Sequence, residues 1–462
     1  MATILVLFLG SAIKTGCPAR AVGSIFNFSN LSNHSAASQE PKKLKHLGAH
    51  QSLKEQGRAL MELHKFYSSL AIQNDSKIVV LLIDGLGGTS HKDYGYKTEL
   101  EYANHPNLDR LASRGATGML TPVLPGVTPG SGPAHLGLFG LDPISFNIGR
   151  GVLEALGIGL VPEPTDVLAR GNFCTVDDEG AIIDRRAGRI PTPICEQRLD
   201  LLRDIRLPRF DIELHAVQDH RFVLRLKGTD LDGNIANTDP GAVGAKPKPA
   251  QALTPRAETT ANIVNAFVDQ ALDRLRGRSA ANALVLRGFS MLPDIPNFHE
   301  LYGLRSAALA LYPMYKGLAR TVGMDILDCG KTFPDQLRTL KLYWDKYDYF
   351  FIHYKYTDSC GEDGDFLSKV NHIETLDSCI DSLVRLDPAV LAITGDHSTP
   401  AALKSHSWHP VPLLLVSSTC RRDGSTAFTE NVCARGALGN IESKYLMGLL
   451  LGHALRLDKF GA

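Results

Sequence analysis

The sequence lacks an excess of charge of either sign. Its 462 residues include 49 Lys and Arg side chains and 49 Asp and Glu side chains, so the formal net charge at pH 7 is zero. Proteins that bind nucleic acid or a membrane surface through bulk electrostatics carry a basic excess. We therefore expect no nucleic-acid and no membrane partner, and we expect function to depend on local clusters of side chains.

The sequence also lacks paired cysteines and long apolar runs. Its eight cysteines are dispersed without a Cys-x-x-Cys pair, which argues against a zinc finger and favours a reduced, cytoplasmic location. The apolar run over residues 3–9 is too short to span a membrane, and no Lys or Arg precedes it. An organellar or secretory leader is the alternative to a cytoplasmic protein without one. Residues 1–45 are therefore predicted to be either a leader or a disordered extension, outside the fold.

The length of the chain predicts two domains, because one small core rarely organises 462 residues. After about residue 145, strand-like segments alternate with loops rich in Asp, Gly and Pro, and the earlier pattern returns near residue 303. We predict a discontinuous domain of residues 46–145 and 303–462, with an inserted domain of residues 146–302.

Local patterns predict the elements around the candidate site. Leucines at helical spacing indicate a short amphipathic helix within residues 51–71, and a continuous apolar run indicates a strand over Ile78–Ile83. Pro106 fits the first turn of a helix, and Gly115 fits the C′ position after it. A further helix is predicted over residues 365–386 because its apolar residues recur every three or four positions.

Side chains of the types that bind metals follow several apolar runs in the sequence. Asp84 follows one run, Asp358 follows a second, and Asp396 with His397 follows a third. The carboxyl ends of parallel strands meet at one edge of a sheet, where open α/β folds bind ligands. Carboxylates and imidazoles gathered there have the chemistry of a two-metal centre.

Two details of this set stay open from the residues alone. Adjacent side chains on a strand point apart, so Asp396 and His397 are expected to contact two ions or two faces of one site. His406 and His409 both precede the apolar run 411–416, and their spacing does not choose between them as ligands.

The carboxylates of residues 358–365 are predicted to lie in an acidic loop. Carboxylates this close repel one another unless a cation is present, which favours at least one as a ligand and leaves about two solvated. The loop carries four of them: Asp358, Glu362, Asp363 and Asp365.

Ser131, between Gly130 and Gly132, is a candidate nucleophile at the start of a helix, where N–H groups stabilise an anion. The simpler alternative is an ordinary N-cap serine. Cations at strand ends and turns suit bidentate binding of carboxylates and phosphates, although most arginines only solubilise a surface. The candidates are Arg170, Arg185, Arg186, Arg189 and Arg287, together with Lys316.

Taken together, these motifs resemble the alkaline phosphatase superfamily and, more narrowly, the archaeal-type 2,3-bisphosphoglycerate-independent phosphoglycerate mutases. The resemblance covers about residues 76–462. It is carried by Ile83–Gly87, His105–Asp109, Pro129–Leu136, Asp358–Asp365, Thr394–Thr399 and His406–Pro412.

The resemblance implies an α/β fold: an alkaline-phosphatase-like core with a central, mostly parallel sheet, and an inserted smaller α/β domain that closes over it. It also implies two divalent ions, Mn first and Mg, Co or Zn as alternatives. One ion would be surrounded by Asp84, Ser131, Asp396 and His397, and the other by Asp358, Glu362 and His406. The resemblance thus favours His406 over His409 as a ligand. The substrate would be held by Arg170, Arg185, Arg186, Arg189, Arg287 and Lys316.

Two departures from the family pattern stand out. Glu362 occupies a position that is usually His, and the added oxygen ligand favours Mn or Mg over Zn. Gly132 and Pro133 follow the candidate nucleophile where Asp-Thr is more usual. We do not interpret either change as a loss of activity.

The function implied is interconversion of 3-phosphoglycerate and 2-phosphoglycerate, a small-molecule substrate pair, through a phosphoserine on Ser131. Three alternatives use the same residues differently. The first is a metal-dependent phosphomonoesterase or phosphonate hydrolase, and the second is a phosphotransferase such as a homoserine kinase-like enzyme. The third is a binding protein with a decayed metal centre, for which Glu362 is the supporting feature.

Overall fold

The computed structural model describes residues 66–146 and 148–461. The predicted leader over residues 1–45 lies outside these ranges, as does most of the amphipathic helix predicted within residues 51–71. Residues 66–70 of that segment are helical. Within the described ranges, every helix is too short or too polar to serve as a membrane span.

The strands of the described residues form two separate sheets. In chain order they are β1 (Ile78–Ile83), β2 (Ala116–Thr121), β3 (Val167–Val176), β4 (Ile182–Asp184), β5 (Asp211–Gln218), β6 (Arg221–Lys227), β7 (Ala283–Ser290), β8 (Ser306–Leu309), β9 (Asp325–Ile326), β10 (Tyr349–Tyr354), β11 (Val390–Thr394), β12 (Val411–Ser417) and β13 (Gly439–Glu442).

The larger sheet has eight strands in the order β13-β2-β12-β11-β1-β10-β8-β9. All neighbouring pairs are parallel except those of β12, which runs antiparallel to β11 and to β2. The predicted α/β class with a mostly parallel central sheet is confirmed. The smaller sheet is antiparallel: β3 pairs with β4, β6 and β7, and β5 pairs with β6.

The α-helices cover both faces of the larger sheet, and helices also pack against both faces of the smaller one. They are α1 (Glu99–Tyr102), α2 (Pro106–Ala112), α3 (Ser131–Leu138), α4 (Arg150–Gly157), α5 (Thr192–Asp200), α6 (Glu258–Leu275), α7 (Phe298–Tyr302), α8 (Pro313–Thr321), α9 (Phe333–Leu342), α10 (Tyr356–Asp363), α11 (Phe366–Val384), α12 (Glu430–Cys433) and α13 (Leu446–His453). Short 3-10 helices span Lys92–Tyr94, Ala187–Arg189, Pro255–Ala257 and Ser443–Tyr445.

Strand β1 lies at the centre of the larger sheet and is buried on both faces. Val80 packs into the core on one side, and Val79 and Leu81 pack into the core on the other. A strand covered on both faces reads as a continuous apolar run, which explains why β1 could be predicted. The predicted helix over residues 365–386 is confirmed as α11, with Asp365 as its N-cap.

The strands of the smaller sheet, β3 to β7, are consecutive in the chain, whereas the strands of the larger sheet come before and after them. The smaller sheet has its own core, a buried cluster that contains Phe173 and Phe222 from the strands and Phe267 from α6. The division into domains at residues 146 and 302 stays a prediction.

Gly115 does not occupy the predicted C′ position. Helix α2 begins with Pro106 at N1, as predicted, but it ends at Ala112 with Ser113 as C-cap. Gly115 therefore lies one residue beyond C′, and the prediction is wrong by one position. A Cβ atom at residue 115 would lie 2.3 Å from the carbonyl oxygen of Leu415 in β12. Glycine is needed there for the close approach of two backbone segments.

Gly115→Ala is expected to lower the free energy of unfolding by about 2 kcal/mol, because the methyl group must push the helix α2 segment away from β12. Thermal unfolding followed by calorimetry would measure the change as a lower Tm. The matched control is Gly452→Ala in helix α13, where an added Cβ meets nothing within 4 Å. Its Tm should stay level or rise, and equal losses in both variants would contradict the explanation.

Candidate active site

Three buried side chains meet at the carboxyl edge of the larger sheet. Asp84 follows β1, and Asp396 and His397 follow β11, the strand paired beside it. The Nε2 atom of His397 lies 3.4 Å from Asp84 Oδ1 and 3.2 Å from Asp396 Oδ2. One potential ligand atom from each residue lies within 4.8 Å of the others. These three residues form the first ligand group.

A second ligand group shares His397 with the first. It consists of Asp358, His397 and His406, whose potential ligand atoms also lie within 4.8 Å of one another. His406 Nε2 is 3.5 Å from Asp358 Oδ1, and the rings of His397 and His406 stack with centroids 3.6 Å apart. Two ligand groups that share an imidazole form one continuous cluster.

The side chains of Asp396 and His397 converge, although adjacent side chains on a strand would point apart. Strand β11 ends at Thr394, so the alternation of a strand no longer applies at these residues. Asp396 Oδ1 accepts hydrogen bonds from the backbone N–H groups of Gly85 and His397, at 3.1 and 3.0 Å. These bonds fix the carboxylate so that Oδ2 is directed at the imidazole.

The acidic residues 358–363 form a helix, α10, and not the predicted loop. Helical spacing places Asp358 and Glu362 one turn apart on the same face. Glu362 Oε1 lies 3.8 Å from His406 Nε2, and its side chain is 56% exposed. Asp365 lies beyond the helix and caps α11 by accepting from the N–H of Ser368. Two of the four carboxylates therefore face the cluster.

The geometry distinguishes the two candidate histidines. His406 Nδ1 lies 2.9 Å from the carbonyl oxygen of Pro129, and a carbonyl can only accept, so Nδ1 carries the proton. The lone pair is then on Nε2, which faces Asp358. His409 instead contacts Ser407 Oγ at 2.9 Å and stacks on the ring of Trp408.

Ser131 is the first residue of helix α3, and Gly130 is the N-cap. No side-chain hydrogen bond caps this helix, so Ser131 does not have the ordinary capping role. Its Oγ atom lies 3.4 Å from His397 Nε2. The hydroxyl is therefore directed at the imidazole that both ligand groups share.

Burial and charge set the protonation of the cluster. Burial, with the nearby charges of Asp84 and Asp358, raises the pKa of Asp396 well above its usual value. Burial also acts to raise the pKa of Asp84, but the charge of Lys355 and the side chain of His353 outweigh it and hold that pKa well below its usual value. Burial lowers the pKa of His397 to about 3, so its ring is neutral and free to act as a ligand.

His353 and Lys355 belong to this site but were not assigned a role from the sequence. Lys355 Nζ lies 3.1 Å from Asp84 Oδ2 and forms an ion pair with Asp358. His353 Nε2 lies 3.3 Å from Asp84 Oδ2, and its ring stacks on that of Tyr315. His353 and Lys355 are two positions apart at the end of β10, so the alternation of a strand could have indicated that they share one face.

A cavity of about 410 Å³ opens beside the cluster. Ser131, Asp358 and His406 line it on one side, and arginines line it on the other. A second cavity of about 300 Å³ adjoins it, and Arg170, Arg186 and Glu362 line both. The five predicted arginines all line the second cavity: Arg170, Arg185, Arg186, Arg189 and Arg287.

The cavities are lined by two arginines and one lysine that were not among the predicted substrate-binding residues. Arg150 and Arg221 line both cavities and were missed, because nothing in their local sequence separates them from surface arginines. Lys316 is not among the residues that line either cavity, whereas Lys355 lines the first. Helix α8 presents Tyr315 to the cavity, and the next residue points in a different direction. The assignment of Lys316 to phosphate stays a prediction, and the geometry favours Lys355.

Buried carboxylates hold several of these arginines in place. Asp239 Oδ2 lies 2.9 Å from Arg185 Nη2 and 3.4 Å from Arg287 Nη1. Glu154 Oε1 lies 3.3 Å from Arg170 Nη1. Fixed guanidinium groups bind carboxylates and phosphates in two-point contacts. A cluster of possible metal ligands, a serine hydroxyl and an arginine-lined cavity together define an α/β protein whose site suits phosphoryl transfer.

Comparison with known proteins narrows this class. A family model described as 2,3-bisphosphoglycerate-independent phosphoglycerate mutase matches residues 112–280. A probable enzyme of that name from Thermotoga sp. strain RQ2 is 46% identical over 405 residues, which are 87% of this chain and 100% of that protein. Another from Thermus thermophilus is 46% identical over 408 residues, with the same 87% and 100% coverage.

Solved structures agree with the sequence relatives. A Pyrococcus horikoshii protein superposes with a TM-score of 0.73 at 29% identity, covering 84% of this chain and 100% of that one. The cofactor-independent phosphoglycerate mutase from Thermoplasma acidophilum gives a TM-score of 0.62 at 29% identity, covering 82% and 100%. The chain belongs to the 2,3-bisphosphoglycerate-independent phosphoglycerate mutase family and is an isomerase, as its motifs indicated.

Proposed function

We propose that this enzyme interconverts 3-phosphoglycerate and 2-phosphoglycerate through a phosphoserine formed on Ser131, at a centre of two divalent ions. The observation that carries the proposal is the position of Ser131 Oγ. It lies 3.4 Å from the imidazole shared by both ligand groups and borders the cavity that the arginines line. A phosphoryl group and a carboxylate on one small molecule would fit between these two sides.

The residues of the cluster fit divalent ions. Both Oδ atoms of Asp84 and Oδ2 of Asp396 are buried and accept no well-formed hydrogen bond from any described residue. Lys355 balances part of the charge at Asp84 Oδ2, and buried carboxylate oxygens without hydrogen bonds are costly unless cations balance the rest. Oxygen and imidazole ligands suit Mn, and the extra carboxylate of Glu362 favours it over Zn. We assign Asp84, Asp396 and His397, with Ser131, to one ion, and Asp358, Glu362 and His406 to the other.

Each part of the reaction then has a residue that performs it. Bound ions would lower the pKa of the Ser131 hydroxyl and stabilise charge on the transferring group. Ser131 Oγ attacks phosphorus, forming the Oγ–P bond as the bond between phosphorus and the glycerate oxygen breaks. Arginines such as Arg185 and Arg287 hold the glycerate carboxylate, so the glycerate stays. Its other hydroxyl attacks the phosphoserine and restores the free serine.

The test is an assay of purified protein with Mn, 3-phosphoglycerate and no bisphosphoglycerate, followed by ³¹P NMR. The expected result is 2-phosphoglycerate with no inorganic phosphate, and with no ¹⁸O from labelled water in the product, because the phosphoserine passes its phosphoryl group only to glycerate. Release of inorganic phosphate without isomerisation would make the protein a hydrolase. A requirement for ATP would make it a kinase-like phosphotransferase.

Glu362→His is expected to shift the metal preference of the ion assigned to Asp358, Glu362 and His406 from Mn towards Zn by about tenfold, because an imidazole replaces a hard oxygen ligand. Competition between the two ions, measured as bound metal by mass spectrometry, would detect the shift. Asp363→His, one residue further along α10 and exposed, is the matched control and should not change the ratio. The same ratio in wild type and Glu362→His would remove Glu362 from the ligand set.

A further inference from the structure

The cluster gathers three buried carboxylates in a small volume. Asp84, Asp358 and Asp396 are 0%, 1% and 1% exposed. Three carboxylates in one buried volume repel one another strongly when all are ionised.

Lys355 forms ion pairs with two of these carboxylates. Among residues 66–146 and 148–461, it is the one Lys or Arg within 4.0 Å of any of the three carboxylates. Its Nζ atom contacts Oδ2 of Asp84, at 3.1 Å, and Oδ2 of Asp358. Asp84 belongs to the first ligand group and Asp358 to the second. The ammonium group therefore bridges the two groups at the carboxylates assigned to the metal ions.

We propose that Lys355 is a displaceable counter-ion, which neutralises the carboxylates of the metal-free protein and is released to bind the anionic substrate when divalent ions bind. The inference rests on the metal centre of the proposed function. It adds that one lysine couples metal binding to substrate binding. A substrate phosphoryl group would then meet the released ammonium only in the metal-loaded enzyme.

The position of Lys355 allows both states. Lys355 contacts the Oδ2 atoms of Asp84 and Asp358, whereas His397 and His406 contact their Oδ1 atoms. A dication held by the same two carboxylates would therefore lie close to the ammonium group and repel it. The lysine follows the last residue of β10 and has a flexible four-carbon stem, so Nζ can move without the backbone. Lys355 also lines the 410 Å³ cavity beside Ser131, and its Nζ lies 5.5 Å from the ring of Tyr315. The released ammonium therefore has a place next to the incoming anion.

Titration calorimetry with Mn²⁺ on metal-free protein tests the competition directly. Lys355→Met keeps the length of the side chain and removes its charge. Its Kd for Mn²⁺ should be at least about tenfold lower than that of the wild type, because the ions no longer displace a cation. Its metal-free Tm should fall. The control is Lys341→Met, an exposed position on α9 that changes the net charge by the same amount, and its Kd should be unchanged.

Further measurements keep the two proposals separate. Lys355→Arg retains the charge, so its Kd for Mn²⁺ should not be lower than that of the wild type. In wild-type protein, acylation of Lys355 followed by mass spectrometry should be several-fold faster with Mn²⁺ than without it, a result that does not depend on any variant folding. Wild-type protein that binds Mn²⁺ while Lys355→Met binds it equally or more weakly would overturn the counter-ion role. Wild-type protein that binds no Mn²⁺ would overturn the metal centre itself.

Discussion

Ser131→Ala is expected to lower kcat for isomerisation by at least about 10⁴-fold, because the variant has no oxygen to accept the phosphoryl group. The substitution removes one oxygen from a half-buried residue whose Oγ makes a single long contact, 3.4 Å from His397 Nε2. Little stability depends on that contact, so the folded protein should be recovered with an unchanged Tm. Substrate should still bind, because the arginines that line the two cavities are untouched.

Rapid quenching of wild-type enzyme with ³²P-labelled 3-phosphoglycerate, followed by peptide mass spectrometry, should find the phosphoryl group on Ser131. The Ser131→Ala variant should carry none. Ser359→Ala is the matched control, because its hydroxyl is exposed in the same cavity but belongs to neither ligand group. It should keep its activity. Residual isomerisation within tenfold of the wild type in Ser131→Ala would mean that another group accepts the phosphate.

The residues that could be found from the sequence are those whose position follows from one short-range rule. Asp84 and Asp396 each come after a continuous apolar run, and the two runs are neighbouring parallel strands, β1 and β11. A residue just past a buried parallel strand lies at the carboxyl edge of the sheet whatever its partners are. The pattern therefore predicted which side chains meet, without predicting how they meet.

The residues that were missed depend on long-range packing. Arg150 lies in α4 and Arg221 in β6, and they meet only because the smaller sheet lies beside the cavity. The acidic segment was predicted as a loop, but residues 356–363 form helix α10 although Gly361 disfavours a helix. A Cβ atom at residue 361 would lie 2.1 Å from the carbonyl oxygen of Thr399. Glycine lets the helix lie against the segment that carries His397, so tertiary packing decided the local structure.

Asp84→Asn is expected to lower kcat by at least about 10³-fold and to reduce bound Mn from two ions to one for each chain, since a neutral amide is a poor ligand for a hard cation. The loss should appear at the first ligand group, which contains Asp84. The second group, built on Asp358 and His406, does not include this residue. Bound metal after dialysis, measured by mass spectrometry, would give the stoichiometry.

Thermal melts with and without Mn²⁺ separate loss of a ligand from loss of the fold. The variant loses the attraction between Asp84 Oδ2 and Lys355 Nζ, which are 3.1 Å apart. It also relieves the charge repulsion that, in addition to burial, raises the pKa of Asp396. These effects oppose each other, so the metal-free Tm should change little while the Tm increase caused by Mn²⁺ shrinks. Asp363→Asn on the exposed side of α10 should leave both values unchanged. Two bound ions and an undiminished increase in Asp84→Asn would exclude Asp84 as a ligand, and the first ion would then have to be held without a carboxylate from β1.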